Sequence, residues 1–257
     1  MSWQEIWIAF KTICLKEILR FSRIWIQTIL PPAITMSLYF VIFGNLIGRA
    51  IGEMDGFQYI DYIVPGLIMM SVITNSYSNV VSSFFSSKMH GHVQELLISP
   101  TPNIMILLGF VAGGVARGLG VGVIVTLVAL FFTDINIQHP IMTLAVVILT
   151  SFLFSIAGFI NAIFAKSFDA VNIVPVFILT PLTYLGGVFY SINMLSPFWR
   201  DVSLFNPVLY MVNGFRYGIL GVSDISPSAS FTLLLVFIGI LLSLAIFLLK
   251  RGIGLRE

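Results

Sequence analysis

Long apolar runs in this chain carry almost no charged residues, which are gathered in the stretches between them. Only 9% of the residues are charged, whereas 58% are hydrophobic. A helix needs about 20 apolar residues to cross the hydrocarbon core of a bilayer, so each long run is a candidate membrane span. We therefore predict a polytopic membrane protein. The six candidate spans are residues 24–47, 62–85, 104–132, 141–165, 171–190 and 231–249.

The six spans are expected to be α-helices. Lipid offers no hydrogen-bond partner to the edge of an open strand, and the strands of a membrane barrel would alternate over about 10 residues instead of forming continuous apolar blocks. The sequence thus predicts an all-α fold. We assign residues 1–23 to a cytoplasmic amphipathic helix and residues 24–257 to a six-helix transmembrane domain. The loops are too short to fold separately, so a single domain is expected.

Lysine and arginine are distributed unequally between alternate connections. Positively charged connections usually stay in the cytoplasm, so we predict that both termini are cytoplasmic. The residues on the predicted cytoplasmic side are Lys11, Lys16, Arg20, Arg23, Lys88, Lys166, Lys250, Arg251 and Arg256. Those on the predicted external side are Arg49, Arg200 and Arg216.

Residues 1–23 have the pattern of an amphipathic helix that lies in the cytoplasmic membrane interface. Most of the charged residues, Glu17 and Arg20 among them, are predicted to lie on the surface away from the apolar positions. The segment lacks the uninterrupted apolar core of a cleavable signal peptide, so we expect it to be retained. Two interpretations are open: the helix only anchors the chain in the membrane, or it anchors the chain and its polar face also contacts a cytoplasmic partner. The apolar positions are Trp3, Ile6, Trp7, Phe10, Cys14, Ile18 and Phe21.

The second span carries a polar stripe on one helical face. Ser71, Asn75, Ser78 and Ser82 follow one another in steps of four, three and four residues. Such a stripe should face protein or water and not lipid. Two interpretations remain open: the stripe is a surface for helix packing or for a second subunit, or it lines a solute route.

The third span combines an arginine with glycines at four-residue intervals. Rows of small residues let two helix backbones approach closely. Arg117 lies within this run, and a buried arginine in a membrane is costly and by default suggests a function. Packing against helix carbonyls or a polar partner on the second span is an equal alternative, and the side chain could also extend to the membrane surface. The glycine rows are Gly109 with Gly113, and Gly114 with Gly118 and Gly122.

The second cytoplasmic connection holds about two turns of potential helix between Gly91 and Pro100. Its apolar residues can form a small knob beside Glu95. A cytoplasmic loop has no obvious reason to expose such a knob unless something binds it. The knob consists of Val93, Leu96 and Leu97.

The segment from about residue 191 to 230 is too apolar for a solvated external loop. Pro197 and the pair Asn206-Pro207 interrupt it, and neither part is long enough to span a bilayer. We predict a re-entrant segment of two short helices that enter the outer leaflet and return. Irregular backbone at that depth has to be covered by protein.

Motifs for catalysis or for cofactor binding are missing from the sequence. There is no phosphate-binding loop of the G-x-x-x-x-G-K-[ST] type, no H-E-x-x-H and no G-x-S-x-G. His90, His92 and His139 all fall in connections, and Cys14 is the single cysteine. We therefore expect no catalytic residue, no metal site and no bound cofactor. The basic residues are also too dispersed for nucleic-acid binding.

Ionisable residues are nearly absent from the depth of the spans. Proton-driven carriers usually place such residues in the membrane, whereas these spans hold only Arg117 and, at a border, Asp61. We expect any transport cycle to draw its energy from another polypeptide.

Over its whole length the chain resembles the ABC-2 class of ABC transporter permeases. Shared features are the amphipathic N-terminal helix, the six spans, the helical second cytoplasmic connection and the dipping external segment. The residues that carry the resemblance are Glu95-Leu96-Leu97 followed by Pro100, Asn206-Pro207, and the runs 64–71, 113–118, 180–190 and 214–218.

The resemblance implies an exporter in the bacterial inner membrane, surrounded by lipid. The chain would form a homodimer or pair of half-transporters bound to two copies of a separate ATPase, which uses ATP and Mg²⁺. Amphipathic or lipid-linked solutes are the usual cargo of the class. Residues implied in ATPase coupling are Gly91, Val93, Glu95, Leu96, Leu97 and Ile98. Those considered for the pathway or the dimer interface are Ser71, Asn75, Ser78, Ser82 and Arg117.

Two rival functions remain from the residues themselves. One is a membrane scaffold without transport activity, in which the polar stripe and the glycine rows are only packing surfaces. The other is a channel or carrier that works without an ATPase. A neighbouring ATPase gene would favour the exporter over both.

Overall fold

The computed structural model describes residues 2–255 and is mostly helical. Arg256, one of the charges assigned to the cytoplasmic side, lies outside the described residues. An antiparallel pair of two-residue strands, β1 (Glu53–Met54) and β2 (Phe57–Gln58), is a small exception to the predicted all-α fold. The main helices are α1 (Trp3–Arg23), α2 (Trp25–Ile51), α3 (Tyr59–Met89), α4 (His92–Ile98), α5 (Asn103–Ala129), α6 (Pro140–Phe164), α7 (Phe168–Tyr184), α8 (Pro197–Leu204), α9 (Pro207–Leu220) and α10 (Pro227–Arg251).

Within the described residues, four helices are long and apolar enough to cross a membrane: α2, α5, α6 and α10. Helix α3 has 31 residues, but its serine and asparagine stripe lowers its hydropathy. Helix α7 is apolar and shorter. It ends at Tyr184, before the predicted end at residue 190, and Gly187 beyond it has a φ of 70°, which is outside the range of a right-handed helix. The structure is thus that of a membrane protein with several apolar helices.

Helix α3 lies at the centre of the bundle, and most of its residues are buried. Val72 and Val80 of α3 lie against Gly122 and Gly114 of α5, so these two helices run antiparallel. Gly114 also meets Ser155 of α6. One glycine row of α5 is therefore the surface on which α3 and α6 pack closely, as small residues allow.

The second glycine row of α5 faces the N-terminal helix. A Cβ placed on Gly109 would lie 2.5 Å from Ile13 of α1, and one on Gly113 would lie 2.5 Å from the Cβ of Glu17. Helix α1 therefore runs alongside the first half of α5, with Ile13 buried. Trp3 and Trp7, at the start of α1, are exposed.

Helices α8 and α9 form a hairpin whose two ends meet. The hydroxyl of Ser191, before α8, donates to Asp224 Oδ1, after α9, at 2.5 Å. At the tip, Asn206 Nδ2 donates to the carbonyl oxygen of Leu182 at 2.6 Å, and Asn206 Oδ1 accepts from the backbone N–H of Val208 at 2.9 Å. Asn206 therefore caps α9 and ties the tip to the end of α7.

Candidate functional site

Helix α4 lies at the end of α3 that is predicted to be cytoplasmic. Gly91 precedes it with a φ of 78°, a conformation that favours glycine. Lys88 Nζ donates to the carbonyl oxygens of Ile163 and Ala165 at 2.6 and 3.0 Å. These bonds satisfy carbonyls at the C-terminal end of α6. They also fix the end of α3, and hence the start of α4, against the bundle.

The side chains of α4 divide between the core and the surface. Val93 is 2% exposed, whereas Ile98 is 85% exposed. Leu96 and Leu97 are half-buried, and Glu95 is exposed. The prediction that Val93 belongs to an exposed knob is wrong, because its side chain is part of the hydrophobic core. The outward surface of α4 is formed by His92, Gln94, Glu95 and Ile98.

The polar stripe of α3 is covered unevenly. Ser71 and Asn75 are buried, Ser78 is half-buried, and Ser82 is exposed. Thr74, one turn before Ser78, is also exposed. One edge of the stripe is thus used in packing within the chain, and the other edge is open in the monomer.

Arg117 contacts the buried edge of this stripe. Its Nη2 donates to Asn75 Oδ1 at 3.0 Å, and Asn75 Nδ2 donates to the carbonyl oxygen of Ser71 at 3.0 Å. Of the interpretations offered for Arg117, the structure therefore supports the one in which this arginine binds a polar partner on the second span, α3. Gly118 makes this approach possible, because Ser76 of α3 lies directly against it.

Helix α1 supplies the rest of a polar cluster. Arg20 Nη2 donates to the backbone and side-chain oxygens of Asn79 at 3.0 and 2.8 Å, and Arg20 Nε lies 3.3 Å from Glu17 Oε2. Glu17 is fully buried. Its predicted place on the exposed polar surface of α1 is wrong, because it packs on Gly113, where α5 has no side chain. We call Glu17, Arg20, Asn75, Asn79 and Arg117 the arginine cluster.

Two features of the arginine cluster are missed from the sequence. The amphipathic pattern of α1 assigns Glu17 and Arg20 to solvent, and nothing in that pattern pairs Arg20 with Asn79. One sequence signal could have revealed this contact. The second glycine row, Gly109 and Gly113, predicts that another helix packs closely against α5, and α1 is a helix for which the sequence had assigned no packing partner.

Arg216 occupies a separate site at the other end of α3. The sequence predicts that it lies on the external side, and the structure shows that its side chain is completely buried within the protein. Its Nη2 donates to the carbonyl oxygen of Gly187 at 2.5 Å. Among residues 2–255, the three histidines belong to no group of three side chains that could hold a metal ion.

Comparison with known proteins identifies the family. Residues 8–220 match the sequence profile of the ABC-2 type transporter family. The chain belongs to the ABC-2 type transporter family. The predicted membership is thereby confirmed, and the matched range of this ABC-2 permease includes α4, the polar stripe, Arg117 and Arg216.

Relatives of this ABC-2 permease extend over nearly its whole length. It is 54% identical over 251 residues to the inner membrane transport permease YadH of Escherichia coli K12, with 98% of both chains covered. The YadH of Shigella flexneri is equally similar. Nodulation protein J of Rhizobium meliloti is 23% identical over 221 residues, which cover 84% of this chain and 81% of that protein.

Proposed function

We propose that this chain is the membrane subunit of an ABC-2 exporter of the bacterial inner membrane. Two copies would form the solute pathway and bind two copies of a separate ATPase that uses ATP and Mg²⁺. Family membership and the similarity to an inner membrane transport permease support the proposal.

The observation that carries this proposal is the position of α4. The helix is anchored by Val93 but exposes the large apolar side chain of Ile98, together with Glu95, at one end of the bundle. A groove of about 570 Å³ runs beside it. An exposed apolar residue on a rigid helix suits a protein partner, so we assign α4 as the coupling helix. The groove is lined by Gln94, Leu97, Ile98, Asn103, Leu249, Lys250, Gly252 and Leu255.

The open edge of the polar stripe supports the dimeric part of the proposal. Thr74, Ser78 and Ser82 lie on a helix that the topology places in the membrane. The hydroxyls of Thr74 and Ser82 donate to carbonyls of their own helix, but their oxygens can still accept hydrogen bonds, for which lipid offers no donor. A second copy of the chain, or a solute route between two copies, would cover them.

The proposed topology has six spans, with α3 and α7 added to the four long apolar helices, and both termini in the cytoplasm. The hairpin of α8 and α9 would enter the outer leaflet and return, since Ser191 and Asp224 hold its two ends together. Helix α1 would lie at the cytoplasmic boundary, with Trp3 and Trp7 exposed to lipid headgroups.

Binding of the ATPase is tested by placing an arginine at either of two exposed positions on α4. The chain is co-expressed with a candidate ABC ATPase from the same genome, purified by a tag, and assayed for bound ATPase and for ATP hydrolysis with Mg²⁺. Glu95→Arg and Ile98→Arg should abolish co-purification while membrane insertion is retained. Asp169→Arg is the matched control, because Asp169 is an exposed acid in the first turn of α7, on the same predicted side.

Full co-purification and ATPase stimulation with both α4 variants would refute the assignment of the coupling helix. If no ATPase binds the unmodified chain, the exporter proposal itself fails. The scaffold or the ATP-independent channel would then be favoured.

A further inference from the structure

Two cations share the arginine cluster with a single anion. Arg20 binds Asn79 and Arg117 binds Asn75, one turn apart on α3. Glu17 is the carboxylate of the cluster, and it pairs with Arg20. The cluster therefore has an excess positive charge, which is costly to keep near a membrane without a counter-anion.

Hydrogen-bond donors in the cluster are also left over. Arg117 Nε and Asn79 Nδ2 are buried and find no acceptor among the residues that the structure describes, and Glu17 Oε1 finds no donor there. Asn79 is fully buried. Buried donors without an acceptor cost free energy, and an oxyanion between the two arginines would satisfy Arg117 Nε and supply the missing negative charge.

The cluster borders the open edge of the α3 stripe. Asn75 and Asn79, which the two arginines bind, lie on the same helix as Ser78 and Ser82 and on an adjoining face. The side chain of Arg20 is 29% exposed. A ligand that reaches the exposed hydroxyls of α3 can therefore reach the arginines.

The cluster lies in the inner half of the predicted span of α3. That span, residues 62–85, places the inner boundary of the hydrocarbon core near Phe85. Asn79 then lies about 9 Å inside the boundary, and Asn75 about 6 Å deeper. The phosphates of the inner leaflet are the lipid anions nearest to the cluster, and the long side chain of an arginine can extend toward them.

We propose that Arg20 and Arg117 bind the phosphate of an anionic amphiphile that enters from the inner leaflet. Guanidinium groups suit phosphate because their planar fork donates two parallel hydrogen bonds. The proposal deepens the exporter function and rests on it, since it names the headgroup class of the solute that the open edge of α3 would receive.

Binding is measured on the permease alone, purified in dodecyl maltoside and titrated with dodecyl phosphate by calorimetry. Arg20→Gln and Arg117→Gln should each weaken the affinity about tenfold or more, because each removes a charged hydrogen-bond donor. Arg117→Lys, which keeps the charge but not the fork, should lie in between. Arg23→Gln is the matched control, since it removes an exposed arginine from the same helix.

Glu17→Gln should raise the affinity for dodecyl phosphate, a result that a misfolded variant would not give. It removes the one carboxylate of the cluster, so dodecyl phosphate should bind several-fold more tightly at low salt. Thermal melting of each variant in the same detergent shows whether the fold is retained.

Unchanged affinity in both Arg117→Gln and Glu17→Gln would overturn the site. Equal weakening by Arg23→Gln would attribute the binding to general surface charge and would also overturn it. If inorganic phosphate binds as tightly as dodecyl phosphate, the ligand is a free anion and not an amphiphile. No ATPase is present in this assay, so its failure is distinct from a failure of ATPase co-purification.

Discussion

The guanidinium carbon of Arg216 lies 4.0 Å from the centre of the Tyr62 ring. The same arginine reaches the carbonyl oxygens of Gly187 and Tyr62, at 2.5 and 3.4 Å. Tyr62 OH in turn donates to Asp224 Oδ2 at 3.5 Å. Arg216 thus joins α9, the start of α3 and the chain after α7, and Asp224 links this site to the ends of the α8–α9 hairpin.

Loss of this arginine should destabilise the protein. We expect Arg216→Gln to lower the free energy of unfolding by about 2–4 kcal/mol, since a cation–π contact and charged hydrogen bonds are lost in a buried site. Tyr62→Leu should cost more than Tyr62→Phe, because only the former removes the ring. Thermal melting in detergent is the measurement, with the exposed Arg200→Gln as control. Equal melting temperatures for Arg216→Gln and Arg200→Gln would contradict the structural role.

Gly66 marks a close approach between α3 and the chain after α7. A Cβ at this position would lie 2.7 Å from the carbonyl oxygen and 2.8 Å from the Cα of Val188, so backbone would have to move. We expect Gly66→Ala to cost about 1–3 kcal/mol. Gly120→Ala, with no atom within 4 Å of its new Cβ, should be neutral or stabilising. The comparison requires melting curves and the monodisperse fraction on gel filtration, and similar behaviour of the two variants would argue against this packing.

Cysteines on the open edge of α3 should crosslink two copies of the chain. In a Cys14→Ser protein, Ser78→Cys and Ser82→Cys are treated with an oxidant in native membranes and analysed on non-reducing gels. We expect a dimer band for both variants, because a second copy would cover these hydroxyls. Ser243→Cys, an exposed serine of α10, should remain monomeric. A dimer band only for Ser243→Cys would move the interface to another face.

Cysteine labelling tests whether the α8–α9 hairpin is re-entrant. Met194→Cys and Ser228→Cys, both at exposed positions, should react with an impermeant maleimide added from outside. Leu209→Cys, at a fully buried position, should not. Labelling of Ser228→Cys only from the cytoplasm would require an additional crossing and would overturn the six-span topology.

The native cysteine has to be absent from that experiment. Burial raises the pKa of the Cys14 thiol, so less thiolate is present at neutral pH than for an ordinary thiol. Labelling of the unmodified chain should therefore be slow near pH 7 and should accelerate as the pH rises. A rapid reaction at pH 7 would contradict the partly buried position of Cys14.

The positions of single elements could largely be predicted from the sequence. The helix at residues 92–98 follows from Gly91 and Pro100, and the close packing of α5 follows from its glycine rows. The direction of individual side chains could not. Val93 and Glu17 lie in amphipathic helices, in which a small rotation of the helix about its axis exchanges buried and exposed positions.

The sequence by itself determined that this chain is a helical membrane protein of the ABC-2 family, because apolar run length, charge placement and local motifs are properties of contiguous residues. Only the tertiary structure decided how the polar residues are paired. Arg20 and Asn79 are 59 residues apart in the chain, and Arg216 and Tyr62 are 154 apart. Such pairs form only when the helix registers are set, and the registers depend on which surfaces pack closely across glycines such as Gly66 and Gly113.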